Sequence, residues 1–305
     1  MARKRERDLS WPPAPSALPW PVVDNHTHLE SIAHVLPDGA TVPTVAEHVA
    51  TARAAGITRM VQVGCDLPAA RWTDAVVREH PELVGAVAIH PNEAPLHAGV
   101  LDVGPDGLPP SPAERHGVGL DEAIAEIAAI ARGNDRIRAI GETGMDLFRT
   151  GEAGLAAQRA SFRAHIALAK ELGLALQIHD RDAHTEVLDI LAADGAPERT
   201  VFHCFSGDEE MARLCADQGW YLSFAGPVTF AANDGLRAAL RAVPLSQVLV
   251  ETDAPYLTPH PFRGRPNAPY LAAVTMATIA SVQEVSLEEA CRAVEVTSLQ
   301  VYGEW

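Results

Sequence analysis

The stretch LALQIHDRDAHTEVLDILA, residues 174–192, contains the structural unit that decides the fold. Its first five residues, 174–178, are apolar at nearly every position, which is typical of a strand buried on both faces. A helical pattern of apolar residues follows over 182–193. This order of strand and helix recurs along the chain, and it predicts a parallel sheet covered by helices.

Eight strands and nine helices follow from this pattern. The predicted strands are 22–25, 59–64, 83–89, 136–141, 174–178, 199–203, 220–224 and 247–251. The predicted helices lie near 44–55, 68–79, 119–132, 153–172, 182–193, 208–218, 233–242, 268–284 and 287–298. Eight strand–helix units in 305 residues predict a single-domain α/β protein, a TIM-type (β/α)8 barrel. A doubly wound open sheet is the alternative, but no GxGxxG fingerprint follows the first strand.

The sequence also suggests how the chain is divided. Residues 1–20 are predicted to form a flexible or surface-docked arm, and residues 21–305 to form the barrel. A stretch rich in Pro and Gly, 93–118, is predicted to be a loop insertion after the third strand. The basic N-terminus lacks the apolar core of a signal peptide, and no run of about 18 apolar residues exists. The four cysteines form no CxxC pair. These features predict a cytoplasmic protein without a membrane partner or an obligate protein partner.

The net charge of −16 restricts the classes of partner. Proteins that bind nucleic acid by neutralising its charge are normally basic. If this protein handles a phosphate ester, metal ions or a few local arginines must therefore supply the positive charge.

Ionisable residues recur where predicted strands end. They are His26, His28, His90, Glu142, His179, His203 and Asp253. Active sites of (β/α)8 barrels lie at the carboxyl ends of the strands, so these side chains are expected to meet at one mouth. In extended chain, residues two apart point to the same side, which allows His26 and His28 to face one ion.

The residue types indicate a metal centre. Imidazole and carboxylate ligands together suit Zn²⁺, Mn²⁺, Fe²⁺ or Co²⁺, whereas Mg²⁺ prefers oxygen ligands. Four histidines and two carboxylates exceed the needs of one tetrahedral site, so two ions sharing a carboxylate fit better. For His90, contact with a substrate and a structural role are both open. The other histidines are expected to be structural, and these are His34, His48, His80, His97, His116, His165, His184 and His260.

Several motifs resemble the TatD family of metal-dependent hydrolases, usually described as deoxyribonucleases. In order along the chain they are VVDNHTHLE, AIHPNEA, IGETGMD, IHDRDAH, FHCFSG and ETDAPYLTPHPFRGRPNAP. The resemblance runs from Val22 to about Tyr302. FHCFSG and ETDAPYLTP are the most specific motifs, because the wider amidohydrolase superfamily shares the HxH pair.

The resemblance implies two divalent ions, with Zn, Mn or Mg as candidates. It implies that His26, His28 and Asp253 hold one ion, that His179 and His203 hold the other, and that Glu142 bridges them. It further implies that Asp253 accepts a proton from the attacking water. Many amidohydrolases bridge their metals with a carbamylated lysine instead. The two lysines, Lys4 in the arm and Lys170 within a helix, cannot occupy a strand end.

The expected reaction is hydrolysis of phosphodiester bonds in DNA from the 3′ end. Arg181, Arg263 and Arg265 are candidate phosphate contacts, although pairing with surface carboxylates is an equal alternative. A metal-dependent esterase, such as a D-aminoacyl-tRNA deacylase, would use the same ligands. A catalytically silent binding scaffold is the alternative of a different class, but such a protein is expected to have lost ligands.

Overall fold

Eight parallel strands form one sheet in which each strand pairs with the next along the chain. The computed structural model describes residues 8–305. The strands are β1 (Val22–Thr27), β2 (Ile57–Gly64), β3 (Leu83–Val87), β4 (Ile137–Asp146), β5 (Ala175–Arg181), β6 (Thr200–Phe202), β7 (Tyr221–Phe224) and β8 (Val248–Val250). Within that range the helices are α1 (Val45–Ala54), α2 (Leu67–Glu79), α3 (Ala94–His97), α4 (Leu120–Gly133), α5 (Leu155–Leu172), α6 (His184–Asp194), α7 (Glu209–Asp217), α8 (Asp234–Ala242), α9 (Ala272–Val282) and α10 (Leu287–Tyr302). The prediction of a single-domain (β/α)8 barrel is confirmed.

Strands β1 and β8 close the barrel through a seam that depends on side chains as well as backbone. One parallel bridge joins Thr27 to Ala254. The buried carboxylate of Asp24 accepts bonds from the backbone N–H and the hydroxyl of Thr252, at 2.8 and 2.5 Å. The amide of Asn25 donates to the Val250 carbonyl oxygen at 2.9 Å. Buried polar residues of β1 therefore hold β8 in place at the seam.

Alternate residues of each strand point into and out of the barrel. Met60, Leu83 and Ile140 belong to the large core between strands and helices. Their neighbours Val61, Val84 and Ala139 belong to a second cluster inside the barrel, which Tyr302 of α10 also joins. This period of two is the reason that a histidine or carboxylate on the inner face points toward the barrel axis.

Three strands extend beyond their predicted ends, and the first of them, β1, continues from residue 25 to Thr27. Prediction ended β4 at residue 141 and β5 at 178, but the two strands continue to pair as far as Asp146 and Arg181. Prediction missed these residues because the apolar run stops where the inner face becomes polar. Strand β3 instead ends at residue 87 rather than at 89, and α10 continues to 302 rather than to 298.

The segment 93–118 lies against the loop that follows β4. It was predicted as a loop, yet it contains the short helix α3, whose first turn holds a proline. Arg149 of the β4 loop donates to Asp106 and to the Leu108 carbonyl oxygen. Arg115 pairs with Glu93 within the segment, and its Nε also lies 3.1 Å from Oδ2 of Asp66, at the start of α2. These contacts attach the segment to the rim of the barrel.

Residues 8–20 of the predicted arm are docked on the barrel. The Tyr270 hydroxyl donates to the Pro12 carbonyl oxygen at 2.6 Å. The backbone N–H of Leu18 donates to the Ala55 carbonyl oxygen at 3.0 Å. Residues 1–7 of the same predicted arm lie outside the described residues. The division into arm and barrel domain stays a prediction.

Between residues 8 and 305, no single helix is long and apolar enough to cross a membrane. Taken together, the bent pair of segments Pro269–Val282 and Leu287–Tyr302 has the length and apolar composition of a membrane span.

Candidate metal centre

The structure brings together all six predicted ligands at the carboxyl-terminal mouth of the barrel. His26 lies within β1 and His28 follows that strand, and their Nε2 atoms are 3.1 Å apart. Oδ1 of Asp253, after β8, lies 3.3 Å from Nε2 of His28 and 3.9 Å from Nε2 of His26. The first and last strands thus supply one corner of the site.

The carboxylate of Glu142 occupies the middle of the cluster. Its Oε1 lies 2.5 Å from Nδ1 of His179 and 2.8 Å from Nε2 of His203. Its Oε2 lies 3.6 Å from Nε2 of His26 and 3.9 Å from Nε2 of His28. One oxygen therefore faces each pair of histidines, which is the geometry that a bridging carboxylate requires.

Glycine at position 144 allows the carboxylate of Glu142 to lie close to His179. Gly144 has a φ of 141°, and a Cβ atom there would lie 2.1 Å from the carbonyl oxygen of His179. A side chain would separate β4 from β5 beside the site, so glycine keeps Glu142 close to His179.

Three of the four histidines have an outer hydrogen-bond acceptor that orients the ring. Nδ1 of His28 donates to the Val63 carbonyl oxygen at 3.0 Å. Nε2 of His179 donates to Asp146, and Nδ1 of His203 donates to Glu251, each at 3.1 Å. When the outer nitrogen of a neutral ring carries the proton, the inner nitrogen has a free lone pair. The inner nitrogens therefore face the carboxylates as potential metal ligands.

Sequence reasoning missed these outer positions. Asp146 and Glu251 stand inside the quoted motifs GETGMD and ETDAP, and both are buried. Glu251 directly follows β8, two residues after the inward-facing Leu249 and two before Asp253, so the strand period could have identified it. The thiol of Cys65, 3.4 Å from Oε2 of Glu142, was also missed, and the sequence around it gave no signal.

The electrostatics of the cluster favour a bound cation. Burial opposes ionisation of Glu142, yet His203, His90 and His179 hold its pKa well below its usual range. Burial lowers the pKa of His28, but Asp253, Glu30 and Glu142 outweigh it and raise that pKa to about 9. Glu142 and Asp146 likewise raise the pKa of the buried His179 to about 9. Positive charge is thus stabilised among these groups, whether protons or metal ions carry it.

The donor set fits divalent metal. Nε2 of His28, Nε2 of His26 and Oδ1 of Asp253 lie within 4.8 Å of one another, as do ligand atoms of His26, Glu142 and His203. Lone pairs that face one another in a buried site repel unless a cation lies between them. Nδ1 of His26 is buried and has no hydrogen-bond partner within residues 8–305, so no hydrogen bond at that nitrogen orients the ring, which stacks on His203 with centroids 3.9 Å apart.

His90 lies at the edge of the cluster. Its Nε2 is 3.4 Å from Oε1 of Glu142, and its ring packs edge-on against His179 with centroids 4.5 Å apart. The backbone N–H of Asn92 donates to Nδ1 of His90 at 3.0 Å, so Nε2 carries the proton in the neutral ring. His90 lines the cavity at the mouth, where this N–H can donate to Glu142 or to a substrate oxygen.

The three candidate arginines have different surroundings. The guanidinium of Arg265 donates to Ser10 and Trp11 of the N-terminal segment and lies 3.5 Å from Asp8. Arg181 stacks on Phe148 and Arg263 stacks on Phe230, with 4.2 and 5.5 Å from guanidinium carbon to ring centroid. Within residues 8–305, no carboxylate lies within 4.0 Å of either of these two guanidinium groups. Arg181 and Arg263 are therefore free to bind an anion.

The mouth opens into a cavity of about 630 Å³. Its lining includes His90, Glu142, His179, Arg181, His203 and Asp253. The metal ligands, His90 and Arg181 thus share one chamber, whereas Arg263 lines a neighbouring cavity.

Comparison with known proteins identifies the family. A family model described as "TatD related DNase" matches residues 23–303. The chain belongs to the TatD family. An "Uncharacterized metal-dependent hydrolase TatD" from Mycobacterium tuberculosis is 39% identical over 286 residues, covering 92% of this chain and 98% of the relative. This TatD-family chain is thus a metal-dependent hydrolase, as the resemblance implied.

Two further relatives are informative. A "3'-5' ssDNA/RNA exonuclease TatD" from Cronobacter sakazakii is 33% identical over 225 residues, covering 73% of this chain and 76% of that protein. The crystal structure of the TatD homologue YJJV from Escherichia coli superposes with a TM-score of 0.75 at 21% identity, covering 92% of this chain and 97% of that one. The superposition on YJJV shows that the two proteins share the same fold.

Several histidines outside the centre have structural partners. Nδ1 of His97 donates to the Val118 carbonyl oxygen at 2.8 Å. His184 pairs with Asp180 at 2.8 Å. Nδ1 of the fully buried His165 donates to the Ser161 carbonyl oxygen at 2.7 Å, and its Nε2 accepts from the Ile89 N–H at 3.2 Å. His165 thus uses both ring nitrogens in hydrogen bonds, whereas Nε2 of His97 is buried without a hydrogen-bond partner within residues 8–305.

Proposed function

We propose that this protein hydrolyses phosphodiester bonds in DNA from the 3′ end, with two divalent metal ions. The observation that carries the proposal is the position of the Glu142 carboxylate, one oxygen of which faces His179 and His203 while the other faces His26 and His28. The exonuclease name of the Cronobacter relative supports the substrate class.

The residues divide into two ligand sets. His26, His28 and Asp253 would hold one ion, His179 and His203 the other, and Glu142 both. Two bound ions would lower the pKa of a water molecule and offset the negative charge that develops on the phosphate and on the leaving oxygen.

The protein's own groups would position the reactants and move the proton. The side chain of Asp253 is partly exposed at the mouth, so it can accept the proton of the attacking water. The water oxygen then bonds to phosphorus, the bond from phosphorus to the 3′ oxygen of the preceding nucleotide breaks, and this oxygen takes a proton from solvent. The Nε2–H of His90 and the guanidinium of Arg181 would donate to phosphate oxygens.

The test follows 3′-labelled single-stranded DNA with Mg²⁺, Mn²⁺ or Zn²⁺, using protein whose metal content has been measured. We expect release of labelled nucleotides and about two ions per chain. Glu142→Ala should lose both the activity and most of the metal. Glu82→Ala, which removes a partly buried carboxylate paired with Arg53 outside the metal centre, is the matched control and should lose neither.

Two results would contradict the proposal. Metal-loaded protein that cleaves no DNA with any ion is not a nuclease, and cleavage of D-aminoacyl-tRNA by the same sample would identify an esterase instead. Protein that binds no metal and hydrolyses neither substrate would be a scaffold. The presence of all six ligands argues against that last outcome.

A further inference from the structure

A second cavity of about 780 Å³ adjoins the catalytic mouth. Tyr256 and Leu257, in the loop after β8, line both cavities and form the ridge between them. Phe230, between β7 and α8, and Arg263, on the loop after β8, also line this cavity. We call this cavity the side groove. A molecule bound at the metal centre could extend over the ridge into it.

The side groove is suited to an anion. Although the whole chain carries a net charge of −16, none of the groove-lining residues in the described part of the chain is Asp or Glu. Two arginines, Arg263 and Arg265, line it. Arg265 is occupied by the N-terminal segment, whereas Arg263 has no carboxylate within 4.0 Å in residues 8–305.

The side groove also presents flat apolar surfaces. The guanidinium of Arg263 lies over the Phe230 ring, and both groups are accessible from the groove. Tyr256 is 46% exposed and Leu257 is 39% exposed, so the ridge presents apolar side-chain surface to the groove. Aromatic faces beside an unpaired arginine are the features with which proteins bind the bases and phosphates of single strands.

We propose that the side groove is a subsite for single-stranded nucleic acid, in which Phe230 stacks on a base and Arg263 binds the adjoining phosphate. The inference rests on the proposed function, because it places the remainder of the strand that enters the metal centre. A base within a duplex is already stacked and paired on its neighbours, so it is not free to stack on Phe230. The groove therefore favours single strands over duplexes.

The stacking role of Phe230 and the phosphate-binding role of Arg263 can be separated by binding measurements on the metal-loaded protein. The probes are a fluorescein-labelled oligothymidylate, with phosphorothioate linkages at its 3′ end to slow hydrolysis, and an abasic strand of equal length. Phe230→Leu should weaken binding of the oligothymidylate by roughly 5- to 150-fold and leave binding of the abasic strand unchanged, because stacking needs a base. Arg263→Met should weaken binding of both strands, and Phe230→Trp should retain binding.

A matched control lies elsewhere on the molecule. Arg292 stacks on Trp20 with 3.4 Å from guanidinium carbon to ring centroid, away from both cavities. Arg292→Met removes the same charge and the same kind of stack, and it should alter binding of neither strand. Hydrolysis of bis(p-nitrophenyl) phosphate by Arg292→Met should equal that of the unchanged protein.

The outcomes distinguish the inference from the proposed function. Equal oligothymidylate binding by Phe230→Leu and the unchanged protein overturns the inference, even if DNA is hydrolysed. Equally tight binding of fluorescein-labelled polyglutamate also overturns it, because the groove would then select only charge. If the protein binds the strand through Phe230 but hydrolyses no phosphodiester, the subsite is supported and the proposed nuclease activity fails.

Discussion

Replacement of Glu251 by glutamine should weaken one half of the metal centre without changing any ligand. Glu251 is fully buried, and its Oε1 accepts from Nδ1 of His203 at 3.1 Å and from the Cys204 N–H at 2.8 Å. Glutamine has nearly the same volume and can still accept from the Cys204 N–H. It lacks the negative charge that holds the proton on Nδ1 of His203 and increases the basicity of Nε2.

The expected loss of metal affinity follows from the removal of this single charge. Removal of an outer carboxylate from a metal-ligating histidine typically lowers metal affinity by about 10- to 100-fold. This equals about 1.4–2.8 kcal/mol, which agrees with the value of a hydrogen bond to a charged group. We therefore expect the ion held by His179 and His203 to bind about 10- to 100-fold more weakly, and the ion held by His26, His28 and Asp253 to change much less.

Competition with a chromophoric zinc chelator measures this effect, and circular dichroism verifies that the variant is folded. Glu295→Gln is the matched control, because Glu295 accepts from Nε1 of Trp20 at 2.5 Å outside the metal centre. A folded Glu251→Gln protein with the same zinc affinity as the unchanged protein would refute the orienting role of Glu251.

Three further predictions concern the rest of the molecule. Arg265→Met removes the hydrogen bonds to Ser10 and Trp11, so amide hydrogen exchange of residues 8–20 should accelerate and the free energy of unfolding should fall by about 1–3 kcal/mol; unchanged exchange would contradict this. Burial lowers the pKa of His165 to about 4, against an ordinary value of 6.5. Between these two pH values the unfolded chain binds more protons than the folded protein. The free energy of unfolding should therefore fall by about 3 kcal/mol as the pH is lowered from 6.5 to 4. Urea titrations at several pH values should show a flatter dependence in His165→Gln. Phe162→Ala empties a fully buried site in the core and should cost about 3–5 kcal/mol in thermal or urea unfolding, whereas a loss below about 1 kcal/mol would show that the core refills the space.

The sequence predicted the barrel well because its strands are apolar on both faces. Apolar runs such as 59–64 and 83–87 can be recognised from the local sequence alone. The same criterion ended β4 too early at residue 141, since the inner face turns polar there and the pairing of β4 with β5 continues to Asp146. Strand ends at a functional mouth are therefore the least visible part of such a fold.

The clustering of the six candidate ligands was predictable, but their surroundings were not. The six residues stand at strand ends, a position that the repeating pattern identifies. Arg265 illustrates the limit, because its guanidinium is bound by Ser10 and Trp11, more than 250 residues away along the chain. Phe230 carried no signal either, since its contact with Arg263 depends on how two loops fold against each other.

The seam between β1 and β8 has a consequence for the biosynthesis of the protein. His26 and His28 emerge from the ribosome early, whereas Asp253 emerges near the end, and the seam brings them within 3.3 Å. A nascent or truncated chain that ends before β8 carries the histidine pair but lacks both the third ligand and Thr252, the partner of Asp24. The proposed first ion site is therefore incomplete until β8 and Asp253 have been made. Binding of that ion would thus report that the chain extends through β8 and that β1 and β8 have met.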